Sequence, residues 1–170
     1  GDSHPDRLTP IFPGLQAEDL DFSPDGQWIA YVRGTDHTLW RRRTSGGAAV
    51  QLTKPPAFVE LPRWSPDGSK IAFASMMPGA SQRILVIPRD GGLAREAGQG
   101  ADDQGGPTWS PDGRSIAYGN LYCEMRHSCS VQIVRLRDGH LETLPDSQGL
   151  RTARWSPDGR WIAALTSDSR

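Results

Sequence analysis

A four-residue turn motif recurs four times along the chain and constrains its fold more than any other feature. The copies are Ser23-Pro24-Asp25-Gly26, Ser65-Pro66-Asp67-Gly68, Ser110-Pro111-Asp112-Gly113 and Ser156-Pro157-Asp158-Gly159. Each copy follows an aromatic residue and precedes an Ile-Ala pair, and successive aromatic residues are 42, 45 and 46 residues apart. A repeat of this length is typical of propellers and other repeat arrays, in which each repeat forms one small structural unit.

The motif satisfies the residue preferences of a type I turn. Serine is favoured at the first position, proline at the second because its φ is fixed, and glycine at the fourth, where φ can be positive. Such a turn followed by a left-handed glycine joins two antiparallel strands. We therefore predict a structural role for every turn residue and no catalytic or metal-binding ring of aspartates. These residues are Pro24, Asp25, Gly26, Pro66, Asp67, Gly68, Pro111, Asp112, Gly113, Pro157, Asp158 and Gly159.

The pattern aromatic-Ser-Pro-Asp-Gly-x-x-Ile-Ala resembles the TolB-type, WD-repeat-like β-propeller repeat, and its four copies cover nearly the whole chain. The resemblance implies an all-β fold, a β-propeller of four-stranded antiparallel blades. It also implies three alternative roles: a periplasmic partner-binding protein, the non-catalytic lid of a prolyl-oligopeptidase-like serine hydrolase, or an extracytoplasmic sensor domain of a regulator or kinase. A shared fold does not choose among these roles.

The repeats predict a partial propeller, with three complete blades and part of a fourth. We assign residues 19–53, 60–97 and 107–144 to the complete blades, 152–165 to half of the fourth, and 7–10 to an outer strand of a preceding or closing blade. The whole chain, residues 1–170, is expected to be a single propeller segment. Such a segment leaves apolar flanks uncovered, because blades in a ring cover one another. We therefore expect self-association through the open flanks.

Composition narrows the set of partners. The formal net charge is −1, from 19 basic and 20 acidic residues. Nucleic acid is therefore not an expected partner, since proteins that bind it carry basic patches. No stretch approaches the ~20 apolar residues that span a bilayer, so we expect no direct membrane insertion. No phosphate-binding glycine loop opens a helix, and we expect no cofactor.

Both cysteines lie in one insertion between the second and third strands of the third blade, at Cys123 and Cys129. Three interpretations stay open. The spacing favours a disulfide across a hairpin tip, which would indicate an oxidising compartment. Free thiols are the second interpretation. A metal site formed with His127 and Glu124 is the third, although it lacks a second paired motif.

The chain contains no Gly-x-Ser-x-Gly elbow, and its four histidines are scattered, so we expect no catalytic residues.

Partner binding is expected on one face of the propeller, built from the blade-to-blade connectors and from the loops between second and third strands. Acidic residues on this face would attract a basic peptide, and apolar residues would anchor it. The candidates are Phe12, Glu18, Asp36, His37, Phe58, Met76, Met77, Asp102 and Asp103. The first hypothesis is a non-enzymatic scaffold that binds protein or peptide outside the cytoplasm, in the periplasm or an equivalent compartment.

Overall fold

The computed structural model describes residue 12 and residues 14–100, 103–120 and 129–166. In these ranges the chain forms antiparallel sheets connected in sequence order, and no helix. The first sheet contains β1 (Ala17–Phe22), β2 (Trp28–Arg33), β3 (Thr38–Arg43) and β4 (Val50–Gln51). The second contains β5 (Phe58–Trp64), β6 (Lys70–Met76), β7 (Arg83–Pro88) and β8 (Arg95–Glu96). The third contains β9 (Gly105–Trp109), β10 (Ser115–Gly119), β11 (Gln132–Arg135) and β12 (Leu141–Thr143). The fourth contains β13 (Leu150–Trp155) and β14 (Ile162–Thr166).

This arrangement confirms the all-β class and the partial propeller. Three four-stranded blades are followed by a two-stranded sheet, and the described sheets do not close into a ring. The outermost strands β4 and β8 are only two residues long. The proposed outer strand at residues 7–10 lies outside the described residues.

The recurrent turn joins the two innermost strands of every blade through one set of hydrogen bonds. In the second blade the Gly68 amide donates to the Ser65 carbonyl at 2.9 Å, and the Ser65 hydroxyl donates to Asp67 Oδ1 at 2.6 Å. The Lys70 amide donates to Ser65 Oγ at 2.9 Å. Gly68 has φ +66°, a left-handed conformation that favours glycine. The hydrogen bond from Ser65, followed by one from the Ser69 amide, lowers the pKa of Asp67 to about 2.

Neighbouring blades pack through alternate residues of their second strands. Ile71 and Phe73 of β6 belong to a fully buried cluster with Ala30 and Val32 of β2. Ala72, which alternates with them, packs into the next cluster toward the third blade. Burial of one large apolar side chain such as Phe73 contributes roughly 1.5–3 kcal/mol, so each blade depends on the next for its stability.

Apolar side chains remain exposed on the outer flanks of the first and last sheets. Phe22, which pairs with Ile29 across the first sheet, is 48% exposed. Trp161 and Leu165 alternate with the residues of β14 that pack on the third blade, and they are 69% and 55% exposed. The structure therefore contains the uncovered flanks that the repeat count predicts.

A β-bulge interrupts the inner strand of each blade, three residues before the aromatic residue that precedes the turn. In the second blade the register shifts between Glu60 and Arg63, and Leu61 has φ +51°. Thr152 in β13 adopts nearly the same conformation, with φ +52°. The bulge redirects the following residues along the inner edge, where the inner strands of successive blades meet.

Candidate partner-binding surfaces

The connector end of the first two blades brings several predicted binding residues into one cluster. The turn between β2 and β3 holds His37 with φ +51°, and its Nδ1 atom lies 2.9 Å from Glu18 Oε2. The His37 ring stacks on Phe58, with 4.0 Å between ring centroids and 25° between planes. The Val59 amide donates to the His37 carbonyl at 2.9 Å and fixes this turn against the second blade. The cluster therefore spans a blade interface.

Methionines extend this cluster across the second blade. Phe58, the first residue of β5, pairs with Met76, the last residue of β6. Met76 and Met77 are 36% and 48% exposed. We call Glu18, His37, Phe58, Met76 and Met77 the connector-end patch. This patch combines exposed apolar side chains with a carboxylate at its edge.

Other predicted binding residues lie elsewhere or have local partners. Asp36 accepts hydrogen bonds from Arg33 and, at 2.7 Å, from the Thr38 hydroxyl, and these bonds hold the pKa of Asp36 far below its usual range. Asp103 Oδ1 accepts from the Gln82 amide at 2.9 Å. The Arg42 guanidinium lies 4.0 Å from the centre of the Phe12 ring, on the flank of the first blade. The remaining candidate, Asp102, lies outside the described residues.

The four turn aspartates are occupied by their own turns. The Ser110 hydroxyl donates to Asp112 Oδ1, and the Ser156 hydroxyl donates to Asp158 Oδ1, both at 2.6 Å. These bonds lower the pKa of each carboxyl, which therefore stays ionised at neutral pH. Local turn chemistry is sufficient to account for the repeated aspartate.

The cysteine insertion is described only at its end. Cys129 is 4% exposed, whereas Cys123, Glu124 and His127 lie outside the described residues. The disulfide accordingly stays a prediction. Within the described ranges, no group of three or more His, Cys, Asp or Glu side chains is arranged to hold a metal ion. The same ranges contain no helix with the length and apolar character to cross a bilayer.

The opposite end of the inner strands, where the recurrent turns lie, contains polar residues that sequence analysis missed. They immediately precede the aromatic residue of each repeat, at Asp21, Arg63, Thr108 and Arg154. We call this region the turn end of the channel, where the channel means the space beside the inner strands, which the described sheets do not enclose. Asp21 Oδ2 accepts from the Trp64 amide at 2.7 Å, and Thr108 Oγ1 accepts from the Trp155 amide at 3.2 Å. Aligning the four repeats would have identified this position, because its residue type differs in charge from blade to blade.

The tryptophan indoles also connect blades at this end. Trp64 Nε1 donates to the Asp21 carbonyl at 3.1 Å, and Trp109 Nε1 donates to the Arg63 carbonyl at 3.0 Å. Burial raises the pKa of Asp21, although the Trp64 amide and the charges of Arg63 and Arg154 act in the opposite direction. Hydrogen bonds therefore link each inner strand to the next, and charge interactions join Asp21, Arg63 and Arg154.

Comparisons with known proteins agree with the fold. The chain is 31% identical over 145 residues to the uncharacterized protein Atu1656 of Agrobacterium fabrum, covering 82% of this chain and 36% of the relative. It is 33% identical over 99 residues to the uncharacterized peptidase YuxL of Bacillus subtilis, covering 54% of this chain and 15% of the relative. The chain thus spans only about a third or less of these curated relatives.

Solved structures give the same architecture. A TolB-type protein of Agrobacterium tumefaciens superposes with a TM-score of 0.74 at 24% identity, covering 88% of this chain and 53% of the other. TolB from Acinetobacter baumannii superposes with a TM-score of 0.63 at 21% identity, covering 79% and 34%. The family model described as the TolB beta propeller domain matches residues 19–168. Because this match covers most of its length, the chain belongs to the TolB beta propeller domain family.

Proposed function

We propose that this chain is a non-enzymatic propeller scaffold that binds a protein or peptide through its connector-end patch. The observation that carries the proposal is the stacked pair of His37 and Phe58, which continues into two exposed methionines. Aromatic and methionine side chains are enriched at protein interfaces, and an exposed apolar cluster with a polar edge is typical of them.

The chemistry of the patch indicates the kind of segment that would bind. Met76 and Met77 have flexible, polarisable side chains that adapt to apolar groups of different shapes. Glu18, whose side chain is 51% exposed, places a carboxylate beside His37 at the edge of the patch. The expected partner segment therefore presents an apolar side chain next to a lysine or arginine.

Selection from a random peptide library displayed on phage tests this proposal. We expect the selected peptides to combine apolar and basic residues and to lose binding to a Met77→Lys variant. Leu93→Lys is the matched control, because Leu93 is an apolar side chain, 76% exposed, outside the patch. Peptides that bind the Met77→Lys variant as well as the unmodified chain would contradict the proposal.

A second candidate function is favoured by two relatives. The uncharacterized peptidase YuxL and a protein named Tricorn protease homolog 1 of Streptomyces coelicolor contain segments similar to this chain, which covers 15% and 6% of them. In this alternative the chain is a propeller segment that restricts access to a separate hydrolase domain. The complete coding sequence distinguishes the two proposals. A Gly-x-Ser-x-Gly nucleophile elbow in an adjoining domain would favour the peptidase, and its absence would favour the scaffold.

We further propose a periplasmic or otherwise extracytoplasmic location. The TolB resemblance supports it, and a disulfide between Cys123 and Cys129 would require an oxidising compartment. Alkylation of thiols in intact source cells, followed by denaturation, tests both ideas together. We expect no labelled thiol before reduction and labelling after it. Labelling of both cysteines without reduction would contradict the disulfide and remove this support for the location.

A further inference from the structure

Certain inner-strand amides at the turn end of the channel point toward the preceding blade. The Ser65, Ser110 and Ser156 amides donate back into their own sheets at 2.9 Å, to the carbonyls of Lys70, Ser115 and Trp161. Successive amides of a strand point in opposite directions, so the amides of the preceding tryptophans point out of their sheets. A buried amide without an acceptor costs free energy. Each outward amide therefore needs an acceptor on the preceding blade, in a ligand or in water.

Two of these amides receive that partner from the residue that precedes the aromatic in the neighbouring blade. Asp21 accepts from the Trp64 amide at 2.7 Å, and Thr108 accepts from the Trp155 amide at 3.2 Å. In both cases a side-chain oxygen closes the blade interface. The same kind of hydrogen bond therefore occurs at two blade interfaces.

The third outward amide, that of Trp109, has no such side-chain acceptor among the described residues. The corresponding residue of the preceding blade is Arg63, whose guanidinium has only donors. No side chain among the described residues accepts from the Trp109 amide, and the one side-chain contact that joins this pair runs from Trp109 Nε1 to the Arg63 carbonyl. Arg63 Nη1 donates to the neighbouring Pro62 carbonyl at 2.6 Å. The residue at the accepting position of this interface therefore has no acceptor atom in its side chain.

A second arginine lies near Arg63. Arg154 occupies the equivalent position in β13, and its Nη1 donates to the Ala153 carbonyl at 2.9 Å. In the described ranges neither Arg63 nor Arg154 forms an ion pair, and Asp21 is the acidic group whose charge acts on Arg154. Desolvation of the guanidinium, followed by repulsion from Arg63, lowers the pKa of Arg154, although the residue as a whole is exposed. The charges of Arg63 and Arg154 both act on the Asp21 carboxyl.

A pocket of about 400 Å³ opens beside Arg63. Its walls include the indoles of Trp64 and Trp109 and the turn prolines Pro66 and Pro111. Such walls suit an extended peptide backbone more than a compact inorganic ion. A carboxylate matches the planar fork of a guanidinium, and its second oxygen can accept from a backbone amide.

We propose that the turn end of the channel binds a carboxylate of an extended peptide, through the Arg63 guanidinium and the Trp109 amide. This site lies at the opposite end of the inner strands from the connector-end patch, so it stands or fails independently of the partner proposed there. The carboxylate comes either from a peptide C-terminus or from an acidic side chain, and the two sources share the same chemistry.

Isothermal titration with three peptide probes separates these sources, and a titration with inorganic phosphate serves as the non-peptide comparison. The probes are an N-acetylated Ala-Pro-Ala peptide with a free C-terminus, its C-terminal amide, and an amidated analogue with glutamate in place of the last alanine. Binding of the free acid supports a C-terminal carboxylate, and binding of the glutamate amide alone supports an acidic side chain. Equal binding of the uncharged amide, binding of inorganic phosphate alone, or no binding of any probe overturns the proposal.

Arg63→Thr is the decisive variant, because a hydroxyl at this position can accept from the Trp109 amide as Thr108 accepts from Trp155. We expect peptide affinity to fall roughly ten- to a hundred-fold, the loss of one charge-assisted contact, while the thermal midpoint is kept or raised. Arg63→Lys keeps the charge without the planar fork and should lose part of the affinity. Arg114→Gln is the control, since that side chain is 85% exposed outside the pocket. Unchanged affinity in both Arg63 variants would overturn the proposal.

Discussion

Replacing Trp109 by phenylalanine tests whether indole hydrogen bonds hold neighbouring blades together. Trp109 is 7% exposed, and its Nε1 atom donates to the Arg63 carbonyl at 3.0 Å. Phenylalanine removes this bond, which contributes about 1 kcal/mol net. The smaller ring also loses buried apolar area and leaves a gap, at a cost of about 1 kcal/mol. We expect Trp109→Phe to reduce the free energy of unfolding by roughly 2 kcal/mol, the sum of these two effects.

Trp155→Phe provides the matched control. Trp155 Nε1 donates at 3.3 Å to the Gly159 carbonyl of its own turn, so this bond links no blades. Because the contact is exposed, the change should cost about 0.5 kcal/mol or less. Urea unfolding followed by circular dichroism measures both variants. With a slope near 2 kcal/mol per molar, Trp109→Phe should lower the urea midpoint by about 1 M. Equal shifts in the two variants would refute the inter-blade role of the indole bond.

Three further changes probe close packing, turn electrostatics and the open flanks. A Cβ on Gly119 would lie 2.9 Å from the Thr152 amide nitrogen, so Gly119→Ala should cost roughly 1–3 kcal/mol in urea unfolding. In Gly34→Ala, the control, the added Cβ meets only ordinary contacts of 3.5 Å and beyond, and an equal loss would contradict the packing argument. The pKa of Asp67 falls from 3.8 to about 2 on folding, so its stabilisation is present above pH 3.8 and is lost toward pH 2. Asp67→Asn should therefore be less stable than the unmodified chain at neutral pH, and the difference should vanish in urea titrations near pH 2; a constant difference would contradict this. Light scattering should show self-association that Trp161→Lys weakens, and an unmodified chain that stays monomeric at high concentration would contradict association through the flank.

The strands and turns could be predicted because their determinants are local and repeated. Serine, proline, aspartate and glycine each satisfy a separate requirement of the same turn, and the structure shows the bonds that this chemistry implies at Ser65 and Asp67. The Ile-Ala alternation likewise indicates a strand buried on both faces, as β6 is. Four copies of the pattern leave little room for another fold.

The proposed binding surfaces were less predictable because they depend on contacts between blades. The connector-end patch was partly anticipated, since loop position identifies His37 and Phe58, but their ring stacking joins residues of different blades. Asp36 and Asp103 appeared as free carboxylates in the sequence, yet folding supplies each with local donors. Composition alone does not reveal which exposed-looking acid is already hydrogen-bonded.

Comparison of the four repeats with one another provides the information that a single repeat lacks. Positions that agree in all copies, such as the turn serine, satisfy requirements that every blade shares. The position before the aromatic residue disagrees, with Asp21, Arg63 and Thr108 in successive blades. Asp21 and Thr108 still perform the same structural task, because each accepts from the amide of the next tryptophan. Arg63 is incompatible with that task, since a guanidinium cannot accept a hydrogen bond. Its presence leaves the Trp109 amide without a side-chain acceptor among the described residues, and both Arg63 and Trp109 line one pocket. This exception within a regular fold is the reason to test that position for binding.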